Sequence, residues 1–328
     1  MKEARANKAR GVIYVILASL CYGITPILSN TALKGGLPGD FLSRFFASPP
    51  SFLLLSEQNA MPNESVVGFS MSIACVISLL NCLIGRRSLR VTGRQALELA
   101  LWGGGGFAAT MLLISYAYLS IPAGMTIVLN FTYPLIVALI SALFFKEKLS
   151  PLGVFALVPA LIGIALISGL AGSGGSGVLG EDPALGIPLA LLSGLAYAVY
   201  FLAGRHASYR MLDTSVSNVY ITASAAAICF TVALCTGRFR LPPTWFLWFV
   251  LISSGIIGLV FGLRLLLAGI RLLGSVTASA LNTLEPVFAS MTSMLVFGEL
   301  MTPLKAAGAV LVLIGALLSI LAMRRRSA

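Results

Sequence analysis

The stretch Leu281-Asn282-Thr283-Leu284-Glu285-Pro286 lies inside an apolar run, and 152 residues earlier stands Leu129-Asn130-Phe131-Thr132-Tyr133-Pro134. At that same offset Phe145 falls on Phe297, Glu147 on Glu299, Pro151-Leu152 on Pro303-Leu304 and Ile162-Gly163 on Ile314-Gly315. Upstream, Gly103 and Gly106 fall on Gly255 and Gly258. A shared membrane composition matches Leu, Ile and Ala by chance. It does not match Asn, Pro and Glu at one fixed spacing. The chain is an internal duplication, and the repeat governs every later reading.

The opening of each half needs another offset. Gly11, Leu17, Leu20 and Tyr22 match Gly186, Leu192, Leu195 and Tyr197 at a shift of 175. The first half therefore carries 23 extra residues between its first two apolar runs, within about 34–64. That segment is apolar (Phe41, Phe45, Phe46, Leu53-Leu54-Leu55) but broken by Arg44, Pro49 and Pro50. It reads either as an interfacial flap over the outer mouth or as a surface loop. On the first reading its deletion spares folding.

Of the 328 residues, 58% are hydrophobic and 10% charged, whereas soluble domains carry about 25% charge. A helix crosses a bilayer with about 20 apolar residues. Ten such runs fit: 11–33, 65–84, 98–119, 122–145, 151–170, 185–204, 215–236, 245–270, 275–297 and 303–323. The expected fold is all-α, ten transmembrane helices in two five-helix repeats. These are residues 11–170 and 185–323, joined by a Gly/Ser-rich linker at 171–184. An odd number of passes per half reverses the second half, giving an inverted-topology repeat with substrate sites near the midplane.

The net charge of +11 comes from basic residues beside helix ends. With the N-terminus inside, the cytoplasmic segments hold 16 of 22 Lys and Arg and the outer loops five, with Arg264 in a span. That bias puts both termini in the cytoplasm and makes nucleic acid a poor partner. The expected location is the plasma membrane, the inner membrane in a bacterium, with a monomer or homodimer in the bilayer. Five cysteines lie in or beside apolar runs without a CxxC pair, and His206 is the sole histidine. No disulfide framework, metal site or other cofactor is expected.

Around the duplicated stretch, Leu284-Glu285-Pro286 is followed by Gly298-Glu299 and Thr302-Pro303. The first copy reads Tyr133-Pro134, Lys146-Glu147 and Ser150-Pro151, with Ala123-Gly124 upstream. In these motifs the chain resembles the EamA-type branch of the drug/metabolite transporter superfamily, over nearly its whole length. The resemblance implies a central cavity and alternating access. It does not name a substrate, since the branch carries amino acids, nucleosides and other metabolites. The insertion near 34–64 departs from the pattern, so nothing about an outer gate carries over.

Charge inside the membrane marks candidate functional residues. Glu285 sits about ten residues into its run, about 15 Å deep, and Arg264 about 12 Å deep in the preceding run. The depths suggest an Arg264–Glu285 pair, either recognising substrate or fixing the hairpin. The first half has Leu112 and Tyr133 at these positions, so the pair belongs to one half only. Pro134 and Pro286 interrupt the helical ladder, and Asn130 and Asn282 lie one turn before them. Both asparagines line a cavity or satisfy freed backbone. Pro26, beside Tyr22 and Thr25, reads in the same way. Tyr116, Tyr197 and Tyr200 either line the cavity or pack as core aromatics, and Glu147 and Glu299 read as helix-end caps. The glycine runs near 103–106 and 255–262 read as close helix packing.

The absence of a Walker motif excludes direct ATP drive. Intramembrane catalysis lacks its Asp pair or His cluster, so the chain is not read as an enzyme. The expectation is a secondary carrier of a small metabolite, proton-coupled or exchanging. An amino-acid-like zwitterion is favoured by the Arg264–Glu285 pair. A carrier expelling cationic drugs is the alternative, then a channel or a structural membrane protein.

Overall fold

The computed structural model describes residues 2–43, 48–121, 123–147, 149–168, 182–297 and 302–325. Most of the 171–184 linker lies outside the described residues, as do Arg44, Phe45, Phe46, Lys148, Gly298 and Glu299. Hydrocarbon offers backbone groups no water, so apolar runs close their hydrogen bonds within helices. Twelve pieces follow: α1 (Lys2–Leu33), α2 (Asn63–Ile84), α3 (Gly93–Ala117), α4 (Ala123–Asn130), α5 (Tyr133–Leu143) and α6 (Pro151–Ile167) in the first half, then α7 (Pro183–His206), α8 (Thr214–Cys235), α9 (Trp245–Leu273), α10 (Ser275–Asn282), α11 (Glu285–Phe297) and α12 (Pro303–Arg325) in the second. Among the described residues no strand forms, only an isolated bridge between Leu37 and Leu54. Among the described residues eight helical stretches are long and apolar enough to cross a membrane, and α6 is a shorter apolar helix.

Local sequence sets several starts. Thr92 and Gln95 form a reciprocal capping box at α3. The Asp182, Asp213 and Thr244 side chains accept backbone N–H groups at α7, α8 and α9. Each satisfies a donor that the first turn leaves open.

Two runs read as unbroken spans are not. The stretch 122–145 divides into α4 and α5, and 275–297 into α10 and α11. The cause is proline. Pro134 and Pro286 have no N–H to donate, and their rings crowd the carbonyl four residues back, at Asn130 and Asn282. Pro26 leaves α1 continuous.

Both glycine runs wind as π-helix, at Leu99–Gly105 in α3 and Gly255–Gly262 in α9. They also pack closely. A Cβ at Gly104 would lie 1.9 Å from Ser224 Oγ on α8, and one at Gly255 2.9 Å from the Ser70 carbonyl on α2. Each half thus seats its π segment on helices of the other half. The α6–α12 contact uses the same device: Cβ atoms at Gly163 and Gly308 would come within 2.5 and 2.6 Å of each other's carbonyls.

Arg87 reaches Asp213, Gln95 reaches Ser208, and Arg271 reaches Leu212 and Tyr209, tying together the loops at one end of the bundle. This is its basic end. The inserted segment sits at the opposite end. Phe52 lies 4.9 Å from Trp245 between ring centroids, and Arg240 donates to the Ala60 carbonyl at 2.8 Å and to that of Gln58. Leu37, Phe52 and Leu53 cover Phe246, Leu247, Val250 and Leu251. The insertion therefore carries a satellite core, and its deletion would uncover the start of α9.

Replacing Gly308 by Val forces α12 off α6 and is expected to cost about 1–3 kcal/mol. The measurement is thermal unfolding in detergent, and an unchanged midpoint would contradict the packing.

Candidate functional site

The break between α10 and α11 places Asn282 and Glu285 on successive ends of two half-helices. Asn282 is fully buried. Its Nδ2 donates to Tyr133 Oη at 3.0 Å, Glu285 Oε2 at 3.2 Å and Tyr197 Oη at 3.4 Å. An amide NH₂ has two hydrogens, so the long contact to Tyr197 is the weakest. Asn282 Oδ1 lies 3.2 Å from Ser19 Oγ, whose single hydrogen it shares with the Val15 carbonyl at 3.0 Å, and Tyr133 Oη donates onward to the Ser279 carbonyl at 3.4 Å. Every hydrogen-bonding atom of this amide is used.

Three further helices close around it. From α1 come Ser19 and Tyr22, three residues apart and so on one face. From α5 comes Tyr133, and from α7 come Tyr197, Tyr200 and Phe201. Tyr133 lies 4.7 Å from Tyr197 and 5.2 Å, stacked, from Phe201. Tyr197 lies 6.1 Å from Tyr200. Both repeats thus contribute. Glu285 is half-buried and accepts a hydrogen bond from Asn282. No cation pairs with it among the described residues. Tyr22, Tyr118, Tyr133 and Tyr197 lie within its electrostatic reach.

Of the residues singled out in the sequence, Glu285, Asn282, Tyr133, Tyr22, Tyr197 and Tyr200 come together here. Pro286 sets the break beside them. The others go elsewhere. Asn130 Nδ2 donates to Ser193 Oγ at 2.8 Å, and the Asn130 carbonyl packs where a Cβ on Gly194 would be, 2.8 Å away. Its role, with Pro134, is joining α4 to α7. Thr25 Oγ1 donates to its own helix at Cys21, 2.8 Å, and faces Gly258. Tyr116 Oη donates to the buried Glu64 Oε1 at 2.7 Å, with Arg238 5.9 Å from its ring and 3.5 Å from Glu64. That cluster sits by the insertion, at the far end of the bundle.

The expected Arg264–Glu285 pair does not form. Arg264 lies near Cys82, Arg87 and Asp213, between α2, α8 and α9, and its buried Nε has no hydrogen-bond partner. Equal depth did not imply a shared face. The π segment just before Arg264 turns α9 relative to a regular helix, so a count at 1.5 Å per residue gave the depth and lost the direction. Beside it, burial raises the Asp213 carboxyl, but the Ser215 amide and Arg87 outweigh this and hold it below its ordinary value.

Ser19 and Glu64 were not anticipated. Ser19 stands one turn before Tyr22, so an amphipathic reading of α1 would have found it. Glu64 was set outside a span beginning at 65, whereas α2 begins at Asn63.

Two helical halves, each with a proline-broken run, and a polar break enclosed by both, accord with a sequence comparison. Residues 51–169 and 184–321 match the EamA-like transporter family. The chain belongs to the EamA-like transporter family. No curated protein matches the sequence. A crystal structure of a protein superposes with a TM-score of 0.74 and 17% identity, covering 98% of this chain and 99% of that one. That likeness is one of fold. It spans almost the whole chain, whereas the family match begins only at residue 51 and leaves α1 outside. This transporter nevertheless takes Ser19 and Tyr22 of its site from α1.

Glu285→Gln and Arg264→Gln should act independently. Their combined effect on unfolding is expected to be additive within about 0.3–0.5 kcal/mol. Asn282→Ala leaves several buried polar groups unpaired and should cost about 1–3 kcal/mol for each. A large coupling energy between positions 264 and 285 would restore the pair rejected above.

Proposed function

We propose that this EamA-like transporter is a secondary carrier that moves a small amine-bearing metabolite by alternating access. Ten passes, with both termini in the cytoplasm of a plasma membrane, form its two inverted repeats. The basic end is then the cytoplasmic one. The broken passes α4–α5 and α10–α11 count as one crossing each, and α6 as a short tenth.

One observation carries the reading: Glu285 stands at a helix break, free of any cation among the described residues, inside a wall of tyrosines. An unpaired carboxylate in hydrocarbon costs several kcal/mol, so the site is complementary to what neutralises it. Two species do so, a proton and a substrate ammonium. Aromatic faces add cation–π attraction for the ammonium, worth about 0.5–2 kcal/mol. The zwitterion preference rested on Arg264, which lies elsewhere. The site has an acidic ligand without a basic one, and this favours a compound whose recognised group is a protonated amine. Competition between proton and amine for Glu285 supplies coupling. Protonation releases the substrate, and deprotonation prepares the site again.

The test is counterflow in proteoliposomes against amino acids, nucleosides and cationic amines. Saturable exchange of amine-bearing compounds is expected, with apparent affinity falling as pH is lowered. Glu285→Gln should reduce it by at least about tenfold, a loss of about 1.4 kcal/mol, while Arg264→Gln keeps it. Non-saturable flux would indicate a channel. Transport whose rate and pH dependence survive Glu285→Gln would refute the proposal.

A further inference from the structure

Each half places a Gly-Arg pair just beyond its second pass: Gly85-Arg86 after α2 and Gly237-Arg238 after α8, at the repeat offset of 152. The arginines at these two turns are held differently. At the basic end Arg87 Nη1 donates directly to Asp213 Oδ1 and Ser215 Oγ. At the insertion end Arg238 Nη1 lies 3.5 Å from Glu64 Oε1, beyond the usual hydrogen-bond range of about 2.7–3.2 Å. Among the described residues the Arg238 guanidinium meets Glu64 and the Tyr116 ring without donating a hydrogen bond. Its backbone, by contrast, is fixed. The Arg238 carbonyl accepts from Ser65 Oγ at 3.1 Å, and the Arg240 amide donates to the same Ser65 oxygen at 3.0 Å. With a side chain 51% exposed, Arg238 is a tethered cation that can swing into water.

The place it occupies suits a cation. The Glu64 side chain is 4% exposed, and its Oε1 accepts from Tyr116 Oη at 2.7 Å. A carboxylate so buried is costly unless a cation stands by it. The guanidinium carbon lies 5.9 Å from the centroid of the Tyr116 ring, within cation–π reach. Beside Glu64 in the chain, Asn63 Nδ2 is buried without a partner. Arg240 does not compete for the place, because its guanidinium is committed to the Ala60 and Gln58 carbonyls.

We propose that Glu64 and Tyr116 form a second binding site, for an organic ammonium group, and that Arg238 fills it in this conformation as an exchangeable stand-in. The ligand class is the one proposed for Glu285, and the second site rests on that reading only for its part in transport. A buried carboxylate against a tyrosine face repeats the chemistry around Glu285. An ammonium is a compact charge with three donors. It can make the short charge-assisted bond to Glu64, about 2.7–2.9 Å, that Arg238 does not make. The space it needs is the space the guanidinium leaves. The exchange breaks no covalent bond and keeps the charge of the cluster, while Arg238 becomes hydrated. It also loosens a link between the halves, since Glu64 and Tyr116 belong to α2 and α3 and Arg238 to the α8–α9 connection. A tethered competitor acts at an effective concentration in the millimolar range, so removing it should tighten the site for a free amine.

The test is thermal unfolding of the full chain in detergent against ethylammonium chloride, with sodium chloride at matched ionic strength as reference. Every arm carries Glu285→Gln, which removes the other carboxylate. With Arg238→Gln the midpoint should rise saturably. Half-saturation should come at a concentration at least about tenfold lower than with Arg238 present, or about 1.4 kcal/mol. Arg238→Met, which keeps the aliphatic stem, should behave alike and serves if Arg238→Gln does not fold. Arg238→Lys refills the site with a tethered ammonium and should restore the higher concentration. Adding Glu64→Gln to Arg238→Gln should abolish the rise, while Tyr116→Leu weakens it more than Tyr116→Phe, which keeps the ring. No saturable rise without Arg238, or a rise that survives Glu64→Gln, overturns the site. Since Glu285 is absent throughout, either result leaves the carrier proposal standing, and counterflow indifferent to Glu285 leaves the cation binding at Glu64 standing.

Discussion

A proline inside an apolar pass frees a carbonyl, and in hydrocarbon that carbonyl has only protein to turn to. Much of this fold is the answer to that constraint, given twice. Pro134 and Pro286 each end a half-helix at an asparagine, Asn130 and Asn282. In the first half the asparagine is used for packing, its carbonyl against Gly194 and its amide on Ser193. In the second it becomes the hub of Ser19, Tyr133, Tyr197 and Glu285. One duplicated solution to a backbone problem has diverged into a structural joint and a candidate site. Glu285 is tolerable at this depth because an amide already committed to three neighbours also reaches its carboxylate.

The glycines make a second pair of solutions. Substituting a side chain at Gly104 or Gly255 would collide with a helix of the other repeat, so the π segments form the seam between halves. A seam of small residues has little side-chain interdigitation, and helices can shift along it with few rotamer changes. The α6–α12 contact is also glycine-based, but it lies between the last passes of each half and away from the tyrosines. The first kind of seam borders the tyrosines of the candidate site, and the second holds the periphery.

The sequence disclosed the architecture because the repeat is written in rare residues. Asn and Pro at one offset flank both helix breaks, although each run was read as one span, and Glu285, Asn282, Tyr133 and Tyr197 all lie at the second. What it hid was azimuth. Arg264 and Glu285 have similar depths, yet a π segment intervenes, and π geometry leaves no periodic signature that a run of glycine and leucine would betray. Thr25 and Tyr116 failed for the related reason that position along a helix does not say which way a side chain faces. Glu64 was lost to a boundary set two residues late. Ion pairs such as Glu64 with Arg238 join residues 174 positions apart, and no local pattern reveals them.

Both ends of the bundle are held by ion pairs. At the insertion end the Glu64 carboxylate accepts from Tyr116 and meets Arg238, while Ser65 accepts from the Arg240 amide. At the basic end Arg87 meets Asp213 and Arg94 meets Glu98. Both ends also bury polar atoms without partners: Asn63 Nδ2 beside Glu64, and Ser208 Oγ and Arg271 Nε towards the basic end. An unsatisfied buried group costs about 1–3 kcal/mol, whereas an exposed ion pair contributes about 0–1 kcal/mol. Neither end is therefore locked by its polar contacts, and water admitted at either one relieves part of the strain of closing it.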